Sequence, residues 1–219
     1  MLSYEDLAGS VINGNWTRVA ELTRGLLDSN YAPLEIINKG LISGMNVVGR
    51  RFKEGDMFVP EVLMAARAMS AGVDIVKPLL ADGAMPSAGK VVLGTVKGDL
   101  HDIGKNLVGI MLESAGFDVL NLGTDISPEE FAEAIRKHNP DVVAMSALLT
   151  TTMLTMKDTI DFLCGEGLRG GVKVIIGGAP VSPEFADEIG ADGFAPDAAS
   201  AALLCKNLLG REQNHADYR

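Results

Sequence analysis

Val91-Val92-Leu93-Gly94-Thr95-Val96-Lys97-Gly98-Asp99-Leu100-His101-Asp102-Ile103-Gly104-Lys105-Asn106 is the stretch on which the reading of the chain turns. Its first six residues are apolar and β-branched, the pattern of a short parallel strand buried on both faces. After Ile103 the apolar spacing becomes helical, with Leu107, Ile110, Met111 and Leu112 recurring until Gly116 ends the run. Between strand and helix lies a loop that carries Asp99 and His101, two residues apart. It sits at the carboxyl end of the strand, where open α/β sheets bind their ligands.

The same alternation continues downstream. Residues 119–122 read as a second strand, followed by a helix that opens at Ser127-Pro128-Glu129-Glu130 and runs to Lys137. That opening has a capping hydroxyl, a proline in the first turn and acids at the positive end of the helix dipole. Strands at 142–145, 174–176 and, more weakly, 193–195 alternate with helices at about 153–163 and 198–209. Such a pattern predicts an α/β domain with a five-stranded parallel sheet and right-handed crossovers, in the flavodoxin-like (Rossmann-like) order 2-1-3-4-5. In that order the chain changes direction between strands one and three. The Asp99–His101 loop, the hydroxyl-rich segment 146–153 and Gly177-Gly178-Ala179 then edge one crevice. Without side chains, Gly177 and Gly178 let something large approach the backbone.

Upstream, residues 1–80 read as helix throughout. The expected segments are 2–12; 16–30, with an apolar stripe of Trp16, Val19, Leu22, Leu26 and Leu27; 33–54; and 60–80. The third is opened by Pro33, buries Ile36, Ile37, Leu41, Met45, Val48 and Phe52, and stops at Glu54-Gly55. The fourth is opened by Pro60 and runs through Leu63, Met64, Met69, Val73 and Val76. Four helices with short connections make an N-terminal antiparallel four-helix bundle. The small residues, glycines and prolines of 81–89 read as a linker. The expected layout is a bundle domain over 1–85, the end of the linker at 86–90, an α/β domain over 91–210 and a polar tail at 211–219.

Composition limits what the site can serve. The chain has 219 residues, 47% of them hydrophobic and 22% charged, enough to bury a core in one large or two small domains. A net charge of -10 and the absence of a basic cluster exclude a phosphate-backbone partner, so no nucleic acid is expected. No apolar run approaches a membrane span, and the first residues lack the basic-then-apolar pattern of a signal peptide; the expectation is a cytoplasmic protein with no membrane role. Cys164 and Cys205 have no metal-finger or CxxC spacing and read as free thiols.

A lone histidine is more often structural than a ligand, and this loop lacks the GxxxxGK[ST] spacing of a phosphate loop. Asp99, the hydroxyl cluster and the double glycine at neighbouring strand ends favour a binding role. A carboxylate on one ring nitrogen fixes the tautomer, aims the ring and strengthens it as a metal ligand. His138 sits at a helix C-terminus and His215 in the tail, so neither supplies a second ligand, and a protein-built zinc site is not expected. A metal that brings most of its ligands in a macrocycle fits a single axial histidine.

Asp99-Leu100-His101-Asp102-Ile103-Gly104, Ser146-Ala147-Leu148 and Gly177-Gly178 resemble, in order and at the corresponding strand ends, the DxHxxG, SxL and GG motifs of cobalamin-binding domains. Residues 44–49 and 58–62 resemble the helical cap of the corrinoid module of methionine synthase. In size and layout the chain resembles the corrinoid proteins of anaerobic methyltransferase systems. The resemblance implies that His101 replaces the dimethylbenzimidazole of cobalamin as lower cobalt ligand, with Asp99 on its far nitrogen and the Thr152 hydroxyl completing the relay. Asp102, Ile103 and Gly104 belong to the same cofactor-binding motif. By the same resemblance the displaced nucleotide tail passes Ser146, Leu148 and Thr150 to reach Gly177 and Gly178, with Ala198 near its end, and Phe52 and Val59 form an apolar cap over the upper face. Asn38 departs from the pattern, standing where the methionine synthase module has an acid.

The function so implied is a corrinoid methyl carrier. It passes a methyl group from a substrate-specific methyltransferase to a methyl-accepting one, is served by a reductive activator, and is not a complete enzyme by itself. Protonation of the Asp99–His101 pair would accompany loss of the cobalt bond. Two alternatives share the motifs. A cobalamin-dependent sensor needs an output module that is not seen, and the small subunit of an adenosylcobalamin mutase lacks a counterpart of residues 1–80. A receiver-like domain without cofactor leaves the glycine pair unexplained.

Overall fold

Side-chain oxygens set where many of the helices begin. Ser3 accepts from the Asp6 N–H, Asn15 from Arg18, Ser127 from Glu130, Ser182 from Phe185 and Asp197 from Ser200. Each satisfies one of the N–H groups that a helix leaves open in its first turn. The computed structural model describes residues 2–80 and 87–210; most of the expected linker (81–86) and the expected tail (211–219, with His215) lie outside the described residues. The chain divides into two units, one up to Ser87 and one from Ala88, with Glu113–Gly116 grouped with the first.

The first unit is a set of four helical rods. They are α1 (Tyr4–Ile12), α2 (Trp16–Asp28), a long rod from Pro33 to Glu54, and α5 (Val59–Val76), which ends in a 3-10 turn at Lys77–Leu79. The long rod is not the uniform helix expected: α3 (Pro33–Glu35) and α4 (Ser43–Glu54) flank a π-helical stretch, Ile36–Ile42. An apolar pattern does not distinguish i→i+5 from i→i+4 bonding, so composition carries no sign of it. Gly40 and Gly44 bring this rod against α1: a Cβ on Gly40 would lie 2.5 Å from Leu7 Cδ2, and one on Gly44 2.8 Å from the Ala8 carbonyl oxygen. Gly55, at φ 81°, ends α4 in the left-handed conformation that glycine tolerates best.

The buried face of α5 also differs from expectation. Val62, Ala65, Ala68, Met69, Gly72 and Val76 are buried, whereas Leu63 and Met64 are exposed. The small residues win because they allow close approach: a Cβ on Gly72 would lie 2.7 Å from Leu41 Cδ2 and 3.0 Å from Val19 Cγ1. Trp16 is likewise half-exposed, with the Arg67 guanidinium 5.3 Å from its ring centre. Phe52 is half-buried rather than in the core.

The second unit is the expected α/β domain. Its elements are β1 (Lys90–Val96), α6 (Ile103–Ser114), β2 (Asp118–Ile126), α7 (Pro128–His138), β3 (Val142–Ser146), α8 (Thr150–Gly165), β4 (Lys173–Gly177), α9 (Pro183–Ile189), β5 (Gly193–Ala195) and α10 (Ala198–Leu208). The strands are all parallel in the order β2-β1-β3-β4-β5. Val92, Val143, Val174, Ile176, Phe131, Met156 and Leu163 lie in its core.

Two boundaries and one helix differ from the expectation. β2 runs on through Gly123-Thr124-Asp125, residues typical of turns, because register shifts at Gly94 and Val96 of β1 keep the two strands paired to Ile126. α8 begins at Thr150, so the hydroxyl cluster forms its first turn rather than a preceding loop. α9 was not anticipated, although Ser182-Pro183-Glu184 repeats the opening of α7. Both cysteines are free, Cys164 exposed and Cys205 buried. Among the described residues no helix is long and apolar enough to cross a membrane.

Candidate functional site

The register of the sheet lines up four residues at its carboxyl edge. Thr95 of β1 pairs with Ser146 of β3, Ser146 with Gly177 of β4, and Gly177 with Ala195 of β5. Beyond this row the chain leaves β1 toward β2 on one side and β3 toward β4 on the other, so the loops after β1 and β3 part at the switch point. The Asp99–His101 loop and the start of α8 meet there.

Asp99 is the hub. Its side chain is fully buried, and its two oxygens receive five hydrogen bonds. Oδ1 accepts from the His101 backbone N–H at 3.0 Å and lies 2.7 Å from His101 Nδ1. Oδ2 accepts from the backbone N–H groups of Leu148 and Leu149, at 2.7 and 3.3 Å, and from the Thr152 hydroxyl at 2.8 Å. Burial by itself would raise the Asp99 pKa. Bonds from Leu148, from the His101 backbone and ring and from Thr152 outweigh it and hold the carboxyl well below the usual carboxylate range.

An ionised carboxylate only accepts, so Nδ1 of His101 must carry the hydrogen and Nε2 the lone pair. The ring is 52% exposed, and Nε2 has no partner among the described residues. Leu100 and Ile103, 73% and 83% exposed, and the exposed Leu148 and Leu149 surround the loop with apolar surface. Among the described residues no group of three or more His, Cys, Asp or Glu side chains could hold a metal ion. What the site offers is one aimed imidazole nitrogen beside apolar side chains. Such a donor suits a metal that carries its other ligands with it.

The remaining motif residues are placed as follows. Asp102 accepts from Asn106 Nδ2 at 3.0 Å, and Ile103 and Gly104 start α6 with open space at Gly104. Ser146 is half-buried at the end of β3, Leu148 and Thr150 are exposed, and Thr152 is buried. Gly178 has φ 129°, and a Cβ there would lie 1.8 Å from the Ala147 carbonyl oxygen; one on Gly177 would lie 2.7 Å from that of Ala195. The glycine pair is thus required by the chain's own backbone. Ala198 is buried in the first turn of α10. Phe52 and Val59 belong to the helical unit, half-buried in α4 and exposed at the start of α5 respectively.

Sequence reasoning missed several residues here. Asp125, at φ 61°, accepts from the Gly98 N–H at 2.7 Å and gives its own N–H to the Asp99 carbonyl at 3.1 Å, tying β2 to the loop. Lys105, also buried, donates to the side-chain oxygens of Asn106 and Asn121, both at 2.7 Å, and burial lowers its pKa. Leu149 contributes a backbone N–H, which no side-chain motif reveals. Thr95, buried in β1, donates to the His101 carbonyl at 2.9 Å.

Comparisons with known proteins point the same way. Residues 89–203 match the B12 binding domain family, and residues 3–77 match a second family, also described as B12 binding domain. The chain is 44% identical over 210 residues to a corrinoid protein from Desulfitobacterium hafniense (strain Y51), covering 94% of this chain and 97% of the relative. It is 47% identical over 209 residues to dimethylamine corrinoid protein 1 from Methanosarcina acetivorans, covering 94% and 96%. In structure it resembles a chain of the methanol:cobalamin methyltransferase complex MtaBC from Methanosarcina barkeri, with a TM-score of 0.83 and 32% identity over 94% of this chain and 79% of that one.

Proposed function

The chain belongs to the B12-binding corrinoid proteins and takes cobalamin as its cofactor, and on that premise we propose that it carries a methyl group between methyltransferases, with His101 in place of the cofactor's own base. The observation that carries this reading is the exposed, unpartnered Nε2 of a ring whose Nδ1 is committed to a buried carboxylate. The relatives described as a dimethylamine corrinoid protein and as part of a methanol:cobalamin methyltransferase complex support methyltransferase partners.

Bound cobalamin supplies a cobalt centre that takes up and gives up a methyl group. The protein's part is positional and electrostatic. Asp99 keeps the proton on Nδ1, directs the Nε2 lone pair outward, and its negative charge makes the ring a better donor. With cobalamin bound, Nε2 would be the atom that holds the cobalt, and wherever Nε2 instead carried a proton Asp99 would be the counter-charge already in place. Asp102, Ile103 and Gly104 continue the loop beside the ligand. Ser146, Leu148, Thr150, Gly177, Gly178 and Ala198 are the residues we assign to the path of the nucleotide tail, and Phe52 and Val59 to the apolar cover of the upper face. A substrate-specific methyltransferase donates, a second accepts, and a reductive activator restores the reduced cofactor; the setting is the cytoplasm.

The test uses full-length protein labelled with ¹⁵N-histidine and loaded with cobalt(II) cobalamin. Electron paramagnetic resonance should show a two-line nitrogen splitting from the labelled imidazole, absent in His101→Ala. A three-line splitting that ignores the label would mean that the cofactor keeps its own base. For the carrier role, the reduced holoprotein should accept a methyl group only when a methyltransferase and its methylated substrate are added. Selective retention of adenosylcobalamin, with no methyl acceptance, would instead favour a sensor or a mutase subunit.

A further inference from the structure

His101 has four polar groups, and three of them are held. Asp99 Oδ1 takes the backbone N–H at 3.0 Å and faces Nδ1 at 2.7 Å, while the backbone carbonyl accepts from the Thr95 hydroxyl at 2.9 Å. Only Nε2 remains. From these contacts we infer that Thr95 is a positioning residue for the His101 imidazole, acting through the main chain; the inference rests on the reading of His101 as the cofactor's ligand.

Thr95 is fully buried in β1 and paired with Ser146 of β3, and its neighbours Gly94 and Val96 pair with Gly123 and Ile126 of β2, so the strand that carries it is held on both sides. His101 lies beyond the strand, on a loop whose ring is half-exposed. A hydroxyl anchored in the sheet and bonded to the carbonyl of the ligand residue transfers the rigidity of the sheet to that loop. Asp99 alone does not achieve this. Both of its bonds to His101 converge on one oxygen, so the residue can still pivot about Oδ1. The bond at the carbonyl lies on the other side of the Cα and removes that freedom. A site held on rigid elements and supporting hydrogen bonds keeps its ligand within the small tolerance that coordination needs.

Thr95 also explains its own identity. Valine has nearly the same shape and suits a buried strand at least as well, and four of the other six positions from Lys90 to Val96 are Val or Leu. A buried hydroxyl without a partner is unfavourable, and among the described residues this one has its partner at His101.

The experiment compares Thr95→Val, Thr95→Ala and Thr95→Ser in the full chain. In cobalamin-free protein, imidazole ¹⁵N shifts report the tautomer: the unaltered chain and Thr95→Ser should hold the hydrogen on Nδ1, and the other two should show a mixture. Loaded with cobalt(II) cobalamin, Thr95→Val and Thr95→Ala should lose part of the labelled-imidazole splitting, and their cobalamin dissociation constants should rise about 3- to 10-fold, the effect of one hydrogen bond. Thr95→Ser should stay within about 2-fold of the unaltered chain, as retention of the hydroxyl requires. A role in strand packing alone would lower the melting temperature but leave tautomer and splitting unchanged. The inference is overturned if Thr95→Val or Thr95→Ala keeps both, or if Thr95→Ser falls as far as they do. Absence of the labelled splitting from the unaltered chain would instead overturn the reading of His101 itself.

Discussion

The Thr152 hydroxyl donates at 2.8 Å to Oδ2 of Asp99, the carboxylate oxygen that His101 does not use. The two residues are 53 positions apart, one in the loop after β1 and the other in the first turn of α8. Their bond spans the switch point of the sheet and ties the ligand loop to the helix after β3.

Thr152→Val should therefore loosen the loop without emptying the site. Asp99 Oδ2 keeps the Leu148 and Leu149 N–H groups, so the loss should be that of a single hydrogen bond to a charged acceptor, about 1.5–3 kcal/mol in the cofactor-free protein. Thr152→Ser should recover most of it. Denaturant unfolding of the two variants checks this, and a loss in Thr152→Ser as large as or larger than that in Thr152→Val would show that the methyl group contributes at least as much as the hydroxyl, against the prediction.

Asp99 makes stability depend on pH in a defined direction. Its folded pKa is depressed, so its contribution is fully present above the unfolded value, about 3.9, and is lost as pH falls through the lower folded value. Asp99→Asn should be less stable than the unaltered chain at pH 5, on the order of 2–3 kcal/mol from the lost charged hydrogen bonds. Below about pH 4 the gap should narrow. Chemical unfolding of both proteins at pH 7, 5 and 3.5 measures it; a gap that stays constant to pH 3.5 would contradict the assignment.

Gly178 and Gly123 both have positive φ, 129° and 96°, but only Gly178 has backbone in its way. A Cβ on Gly178 would meet the Ala147 carbonyl oxygen at 1.8 Å, whereas one on Gly123 meets nothing within 4 Å. Gly123→Ala should cost only the conformational penalty of roughly 1–2 kcal/mol. Gly178→Ala must also push apart the ends of β3 and β4 and should cost about 4 kcal/mol or more. Similar losses for the two would mean that the β4 loop yields easily.

Much of the architecture was legible because it rests on local periodicity. The apolar run of β1, the proline and serine openings of α7 and the stop at Gly55 are short-range signals, and they placed four helical rods and five strands in order. The π-helical stretch Ile36–Ile42 and the buried face of α5 were not legible. The first leaves no mark in an apolar pattern, and the second follows from how closely α5 approaches its neighbours at Gly72, a property of the partner surface.

By itself the sequence determined which residues the site has to work with: a carboxylate and an imidazole two positions apart, a hydroxyl-rich segment and a glycine pair, each at a strand end. Tertiary structure decided how they are joined. The five donors on Asp99 include two backbone N–H groups at Leu148 and Leu149, and the His101 carbonyl is held by a threonine inside a strand. Backbone N–H and C=O groups are the same in every residue, so no motif marks which of them converge. Only the parallel register, which sets Thr95 beside Ser146 and Ser146 beside Gly177, brings them to one point. The same register gives the missing side chain of Gly178 a second reason that the sequence does not show, because it makes room for the Ala147 carbonyl.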